Sequence, residues 1–257
     1  MRICWAVSTY GRPQMLARTI HCFEQQTYPE RCMLILDDGQ QLDGQTGDDG
    51  RWRLISWPER FKSLGAKRNA SIALAESYFG KFDAVCPVDD DDIVFPWHTQ
   101  AAAAALEKAD WSRPSQVLMA RADRTPWQFV RHFTGHRLDE RRNRLFHPGW
   151  AMRLETILAA GGYPEDKSGP EDKALVQAME QRGAAQADPV QLGFCPSYCY
   201  TWHTSNISGR LRRDDPDGKK AWASLEQKLP RATLEPWDPP FSLAEPIILP
   251  GVQLRPF

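Results

Sequence analysis

Short apolar runs alternate with amphipathic stretches through the first 110 residues of the chain. Each apolar run is four to seven residues long, which suits a buried strand, and all but the second are followed by a stretch that predicts a helix. Regular alternation of this kind predicts β-α units around a mostly parallel sheet. The predicted strands are residues 3–8, 33–36, 51–57 and 84–88, and the predicted helices are 14–26, a stretch ending near 78, and 97–109.

The second half departs from this pattern. We predict strands at 117–120 and 194–200 and helices at 154–160 and 173–182. Between them, residues 121–144 are rich in arginine with interleaved aromatic residues, a composition that could follow phosphates but is more typical of a solvated loop or hairpin. From residue 229 onward the chain is proline-rich, so we expect a tail without regular elements that wraps the surface.

Composition narrows the class of protein only slightly. The chain has 257 residues with 32 basic and 33 acidic side chains, and this balance gives no overall attraction to nucleic acid or to anionic membranes. No run is apolar for long enough to cross a bilayer, and Met1 leads directly into a strand rather than a signal peptide, so we expect a cytoplasmic protein. The six cysteines lie mostly in apolar segments and are expected to be buried thiols.

Four consecutive carboxylates, Asp89 to Asp92, follow the fourth predicted strand. Adjacent like charges repel, and a divalent metal ion with oxygen ligands would compensate them most directly. A solvated turn that caps the following helix is the alternative, since aspartate is a favoured N-cap residue and Pro96 suits a first helical turn. Both interpretations remain open on this stretch alone.

Three further places carry candidate chemistry. Lys67 and Arg68 lie at the start of the second helix, where cations suit a diphosphate, although an exposed basic turn is equally ordinary. Glu171 and Asp172 begin a late helix, where carboxylates usually cap but can also take a proton from a hydroxyl. His203 follows the last predicted strand, a position more often structural than ligating.

Six motifs, in this order, resemble those of the nucleotide-sugar glycosyltransferases of family 2, which have the GT-A fold. They are STYGRP (8–13), LILDDG (34–39), LGAKRNAS (64–71), VDDDDIVFP (88–96), GGYPEDKSGPED (161–172) and YTWHTSNIS (200–208). The resemblance covers about residues 1–210 and implies a Rossmann-like α/β fold, with a mixed, mostly parallel sheet flanked by helices. The proline-rich C-terminal tail and the arginine-rich stretch have no counterpart in the family. The resemblance has consequences for domain organisation as well. It implies a glycosyltransferase domain over 1–228, with a nucleotide-binding half (1–110) and an acceptor-binding half (111–228), before the tail at 229–257.

The same resemblance implies roles for individual residues. Asp91 and His203 would bind Mn²⁺ or Mg²⁺, Asp172 would be the catalytic base with Glu171 beside it, and Trp150 is expected to contact the acceptor. The nucleotide-sugar would be bound by Thr9, Tyr10, Arg12, Asp38, Lys67, Arg68, Asp89 and Asp90. Two departures affect the base contacts, because Gly11 stands where the family usually has asparagine and Gln40 where it has serine.

The expected reaction is metal-dependent, inverting transfer of a sugar from a nucleotide-sugar, with a UDP-sugar as the first choice, to a hydroxyl of a saccharide. A hydroxylated base in DNA is an alternative acceptor that would suit the arginine-rich stretch, although the near-neutral net charge disfavours it. A magnesium-dependent nucleotidyltransferase is a second alternative, but STYGRP lacks the glycine- and lysine-rich loop usual there. A non-catalytic sugar-binding protein is disfavoured because metal-type and base-type carboxylates are both present. The oligomeric state is not predicted.

Overall fold

The computed structural model describes residues 1–40, 42, 45–46, 50–121, 129–133, 149–166, 171–202 and 231–232. Its helices are α1 (Pro13–Glu24), α2 (Leu64–Phe79), α3 (His98–Leu106), α4 (Leu154–Ala159) and α5 (Glu171–Gln181). Its longer strands are β1 (Ile3–Thr9), β2 (Arg31–Asp37), β4 (Trp52–Ser56), β5 (Ala84–Asp89), β8 (Gln116–Arg121), β9 (Phe129–Phe133) and β12 (Tyr198–Trp202). The shorter strands are β3 (Gln45–Thr46), β6 (Ile93–Val94), β7 (Trp111–Ser112), β10 (Ala151–Arg153), β11 (Gln186–Ala187) and β13 (Arg231–Ala232).

A mostly parallel sheet forms the centre of the fold. Its strand order is β11-β7-β10-β5-β1-β2-β4-β3, in which β5, β1, β2 and β4 run parallel and β10 and β3 run antiparallel to their neighbours. The adjacent interior strands β1 and β2 are almost wholly buried, as expected for strands covered on both faces. The predicted α/β class and its mixed, mostly parallel sheet are confirmed.

Helices cover both faces of this sheet. Alternate side chains of a strand point to opposite faces, so Trp5 of β1 belongs to one apolar cluster and Cys4 to the other. The first cluster is closed by α1 and α3 and includes Phe23 of α1. The second is closed by α2, α4 and α5 and includes Leu175 of α5. Within the described ranges, no helix is both long and apolar enough to cross a membrane.

A second sheet lies beside the first, with the order β13-β9-β8-β12-β6. Strand β6 comes immediately after the acidic stretch and pairs with β12, which joins a segment near residue 93 to one near residue 199. Strands β8 and β9 form an antiparallel hairpin, so the described part of the arginine-rich stretch agrees with the hairpin interpretation. The rest of that stretch lies outside the described residues.

Several short strands were not predicted. Strand β3 lies in the stretch 40–50, whose glycine, glutamine and aspartate composition predicts a solvated loop, and β13 lies in the tail, where we expected no regular element. Both expectations were wrong. Strand β3 pairs with β4, the next strand in sequence, and β13 pairs with β9, which lies far earlier in the chain. The six cysteines are free thiols, and all but Cys195 are buried.

Candidate active site

Three parallel strands end side by side at the site. Thr9 at the end of β1 is in register with Asp37 at the end of β2, and Ser8 is in register with Asp89 at the end of β5. Ligands of open α/β sheets bind outside the carboxyl ends of the strands. The loops that follow β1, β2 and β5 therefore share one edge, and they carry most of the residues predicted to bind the donor.

The acidic turn, defined here as Asp89–Asp92, is buried rather than solvated. Asp90 and Asp92 are fully buried and Asp91 is 5% exposed, whereas Asp89 lies partly open. Helix α3 begins at His98 after Trp97, and no side chain caps it. The turn is therefore not the N-cap that the alternative interpretation required, and its charges need compensation within the protein.

Three members of the acidic turn could hold a divalent ion together. One carboxylate oxygen each from Asp89, Asp91 and Asp92 lies within 4.8 Å of the others. Hard oxygen donors of this kind suit Mg²⁺ and Mn²⁺. The donor set of the acidic turn thus fits the metal that the family resemblance implies, and it includes Asp91, the predicted ligand.

Asp90 is not part of this group of three carboxylates and has partners of its own. Its Oδ2 accepts a hydrogen bond from the Thr9 hydroxyl at 2.6 Å, and its Oδ1 lies 2.6 Å from an Nη of Arg12. The other Nη of Arg12 contacts the carboxylate of Asp91. Arg12 therefore bridges two adjacent aspartates of the acidic turn.

Elements behind the turn hold it in place. The Tyr198 hydroxyl donates to Oδ2 of Asp92 at 2.9 Å, and the backbone N–H of Thr201 donates to its Oδ1 at 2.7 Å. From α1, Arg18 donates to the carbonyl oxygen of Asp91, and the Thr19 hydroxyl donates to that of Asp90 at 2.9 Å. We did not predict these four residues. An arginine in the middle of a predicted amphipathic helix was the only signal for one of them.

Burial perturbs the titration of the turn. Desolvation raises the pKa of Asp89 to about 6, an effect that Arg68 opposes and Asp91 reinforces. Desolvation likewise raises the pKa of Asp90 to about 7, against the opposing charge of Arg12. The pKa of Asp92 is raised well above its usual range by burial and by its acidic neighbours. The turn therefore carries an unfavourable concentration of negative charge that added cations would relieve.

Helix α2 begins at the same edge of the sheet and brings Lys67 to the loop that follows β2. The Ser63 side chain caps the helix by accepting a hydrogen bond from the N–H of Ala66 at 3.1 Å. The Lys67 ammonium lies 2.5 Å from Oδ1 of Asp38 and 2.6 Å from the carbonyl oxygen of Thr9. Burial lowers the pKa of Lys67, and the hydrogen bond to Asp38 offsets part of that effect. Lys67 thus ties the end of β1 to the loop after β2.

Arg68 joins the acidic turn to the start of α5. Its Nη1 lies 2.5 Å from Oε1 of Glu171, and its Nη2 lies 3.6 Å from Oδ1 of Asp89. Asp172, next in sequence, is half-buried and accepts a hydrogen bond from the N–H of Lys173 at 2.7 Å. Burial raises the pKa of Asp172, and the charge of Glu171 raises it further. Asp89 of the acidic turn and Glu171, the neighbour of the predicted base, therefore contact the same cationic side chain through different nitrogens.

The turn that precedes α5 is docked on α2. The amide of Asn69 exchanges two hydrogen bonds of 2.8 Å with the backbone of Tyr163. A Cβ atom added to Gly65 would lie 1.9 Å from the carbonyl oxygen of Pro164, so only glycine permits this approach. These contacts fix the turn beside the Arg68 side chain.

One of the predicted site residues, Trp150, lies away from the described site. The structure places Trp150 in the core instead of the cleft, where it is fully buried and packs edge-on against Trp111 with ring centroids 5.6 Å apart. We therefore leave Trp150 out of any acceptor contact. His203 lies outside the described residues, although β12, which ends one residue earlier, is anchored on Asp92.

Tyr10 and Arg60 form the outer rim near Asp38. The Arg60 guanidinium lies 3.4 Å from the centre of the Tyr10 ring, and its Nη1 is 4.0 Å from Oδ1 of Asp38. Tyr10 is 46% exposed, one of the few large apolar side chains in the described residues that is so open. An aromatic face next to a buried carboxylate is suited to a flat, polar ring.

Comparison with known proteins identifies the class and then the family. The fold and the acidic edge of its sheet are those of a GT-A glycosyltransferase. The family model described as glycosyl transferase family 2 matches residues 4–160, more than half of the chain. The chain belongs to this family, as the six motifs predicted. No curated protein matches the sequence.

Solved structures resemble the fold at low sequence identity. Staphylococcus aureus TarS 1-349 in complex with UDP-GlcNAc is 15% identical, with a TM-score of 0.60 over 82% of this chain and 61% of that one. The mannosyltransferase PcManGT from Pyrobaculum calidifontis, in complex with GDP-Man and Mn²⁺, is 15% identical, with a TM-score of 0.51 over 80% of this chain and 58% of that one. The chain spans about three fifths of the length of these structures.

Proposed function

We propose that this protein transfers a sugar from a nucleotide-sugar to a hydroxyl group of a saccharide, with inversion at the anomeric carbon. The observation that carries the proposal is the Arg68 bridge, which brings the acidic turn and the start of α5 to one site. Membership of family 2 supports nucleotide-sugar transfer. Two neighbours in fold bind UDP-GlcNAc and GDP-Man, respectively, and a UDP-sugar is our first choice of donor here.

The nucleotide would bind across the ends of β1 and β2. Asp38 is buried, accepts a hydrogen bond from the N–H of Phe61 at 3.2 Å and is neutralised by Lys67, so its carboxylate is held in a fixed orientation. A rigid acceptor of this kind can receive an N–H from a base. Tyr10 at the rim would offer a stacking face, and Thr9 lies between this position and the acidic turn.

The diphosphate would lie over the acidic turn. Asp91, with Asp89 and Asp92, would hold Mn²⁺ or Mg²⁺, and His203 is proposed as a further ligand. When bound, the ion would neutralise the charge that develops on the leaving diphosphate. Arg68 and Arg12 add positive charge on two sides of the turn, which is the arrangement that a departing anion requires.

Asp172 would activate the acceptor. A half-buried carboxylate whose pKa is raised is a stronger base than one in water, and Asp172 begins a helix whose first turn is fixed through Glu171 and Arg68. Removal of the acceptor proton on one side of the sugar, while the diphosphate leaves on the other, inverts the anomeric configuration. Glu171 would position the base rather than act as one, since it is paired with Arg68.

A donor screen tests the proposal. Thermal stability would be measured with UDP-, GDP- and dTDP-sugars, each with and without Mn²⁺, since a ligand that binds only the folded state raises the melting temperature. We expect stabilisation by one nucleotide class that depends on the metal ion, followed by release of that nucleoside diphosphate when a saccharide acceptor is supplied. Pyrophosphate as the product would indicate a nucleotidyltransferase instead, and transfer only to hydroxylated bases in duplex DNA would indicate the alternative acceptor.

A further inference from the structure

The proposed reaction uses the positive charge of Arg12 but does not explain why its guanidinium pairs with two aspartates of the acidic turn. Its guanidinium forks across two carboxylates, with one Nη 2.6 Å from Oδ1 of Asp90 and the other in contact with Asp91. The Arg12 side chain is 17% exposed and that of Asp90 is fully buried. Charge-assisted pairs of arginine and carboxylate are strong and directional when water is largely excluded.

The two aspartates that Arg12 bridges differ in their other contacts. Asp91 belongs to the group of three carboxylates that could hold a divalent ion, whereas Asp90 is not part of that group and accepts a hydrogen bond from Thr9. Arg12 therefore has one anchor outside the metal group and one contact within it. A cation that takes Asp91 would break one arm of the fork and leave the other in place.

We propose that Arg12 is a resident counter-ion of the acidic turn, which competes with the divalent cation for Asp91 and, once displaced, binds the diphosphate of the donor. This inference rests on the proposed function. Without ligands, the guanidinium compensates charge that would otherwise be buried and unpaired. When the metal ion compensates the same charge, the guanidinium is freed but stays nearby on Asp90, and a diphosphate is the bidentate anion it is suited to bind.

The consequence is coupling between the two ligands. Displacement of Arg12 from Asp91 opposes metal binding in the absence of the donor, and the new pair with the diphosphate offsets that cost when the donor is present. The ion and the nucleoside diphosphate should each strengthen the binding of the other, by the same factor. An enzyme built in this way holds little metal until the donor arrives.

The test measures the dissociation constant of Mn²⁺ by electron paramagnetic resonance of the free ion, with and without UDP, or GDP if the donor screen selects it. For Arg12→Gln we expect Mn²⁺ alone to bind about tenfold more tightly than to the wild type, because Arg12 no longer competes for Asp91, and we expect its coupling to the nucleotide to fall by a similar factor. Arg12→Lys keeps the charge but cannot contact both carboxylates in the same way, so its dissociation constant for Mn²⁺ should lie between those of the wild type and Arg12→Gln. It also serves if the glutamine variant does not fold.

Two further variants separate contact from net charge. Arg182→Gln makes the same chemical change on an exposed arginine just beyond α5 and should leave Mn²⁺ binding unchanged. Arg12→Gln combined with Asp90→Asn keeps the net charge of the wild type and frees Asp91, so it should still bind Mn²⁺ more tightly than the wild type.

The outcomes are distinct. Equal or weaker Mn²⁺ binding by Arg12→Gln would overturn the inference, as would wild-type affinity in the double variant, which would reduce the effect to net charge. If no variant and no wild-type sample binds Mn²⁺ with or without nucleotide, the metal dependence of the proposed function fails first. That result differs from the case in which Mn²⁺ binds but Arg12 has no influence on it.

Discussion

Removal of the Arg68 guanidinium is predicted to cost more stability than the loss of an ordinary surface ion pair. In Arg68→Gln, the carboxylate of Glu171 would lose a partner at 2.5 Å, and the side chains of the pair are only 9% and 7% exposed. Breaking a buried pair leaves an uncompensated charge and typically costs about 3–5 kcal/mol. For a domain of this size that corresponds to a fall in melting temperature of roughly 6–20 °C. The contact with Asp89 at 3.6 Å adds less, because that side chain is 36% exposed.

A double variant identifies the source of this loss. In Arg68→Gln with Glu171→Gln, both charges of the close pair are replaced by neutral amides and no buried charge of the pair is left alone, so much of the melting temperature should be recovered. The assay is thermal unfolding of the wild type, the two single variants and the double variant at neutral pH without metal. A fall of less than about 1 kcal/mol in Arg68→Gln, as for an exposed pair, would refute the buried bridge. Equal losses in the single and double variants would refute the role of Glu171.

Three other predictions follow from the site. Asp172→Asn should lower the rate of transfer about 10²–10⁴-fold while leaving the dissociation constant of the donor unchanged; near-normal turnover would exclude Asp172 as the base. Gly65→Ala should cost about 2 kcal/mol or more in thermal unfolding, because its Cβ would meet the carbonyl oxygen of Pro164, and an unchanged melting temperature would show that this approach is loose. Because burial raises the pKa of Asp89 to about 6, its protonated form stabilises the metal-free fold below pH ~4, and this contribution is lost as pH rises through 6. Stabilisation by Mn²⁺ should therefore be larger at pH 8 than at pH 5, and the opposite order in thermal unfolding would contradict it.

The sequence predicted the parallel half of the fold because each of its central strands is a continuous apolar run. Strands β1, β2 and β5 are buried on both faces, and this requirement leaves a strong pattern in the residues themselves. Short strands such as β7 and β11 have no such pattern. They exist because a partner strand lies beside them, which only the assembled fold provides.

The candidate site was predictable to a similar extent. The acidic turn, Lys67 and Arg68 could be found because charged residues directly follow or begin buried elements. Their partners could not be found in this way. Asp92 and Tyr198 are 106 residues apart in sequence. Asp90 contacts Thr9 and Arg12, which lie at the start of the chain.

Trp150 was assigned to the site but lies in the core. The family resemblance suggested that Trp150 contacts the acceptor, but the side chain fills space between the sheet and its covering helices, beside Trp111. Burial decides between these roles, and the burial of a single tryptophan is not encoded by its neighbours in sequence.

The central claim is that the acidic turn holds a divalent ion against the diphosphate of the donor. The most direct measurement is the stoichiometry of Mn²⁺ bound in the presence of saturating UDP-sugar, compared between the wild type and Asp91→Asn. The account predicts about one ion per chain in the wild type and little binding in the variant, since the amide cannot replace the carboxylate charge. Equal Mn²⁺ binding in both proteins, or donor binding that is indifferent to the ion, would contradict it.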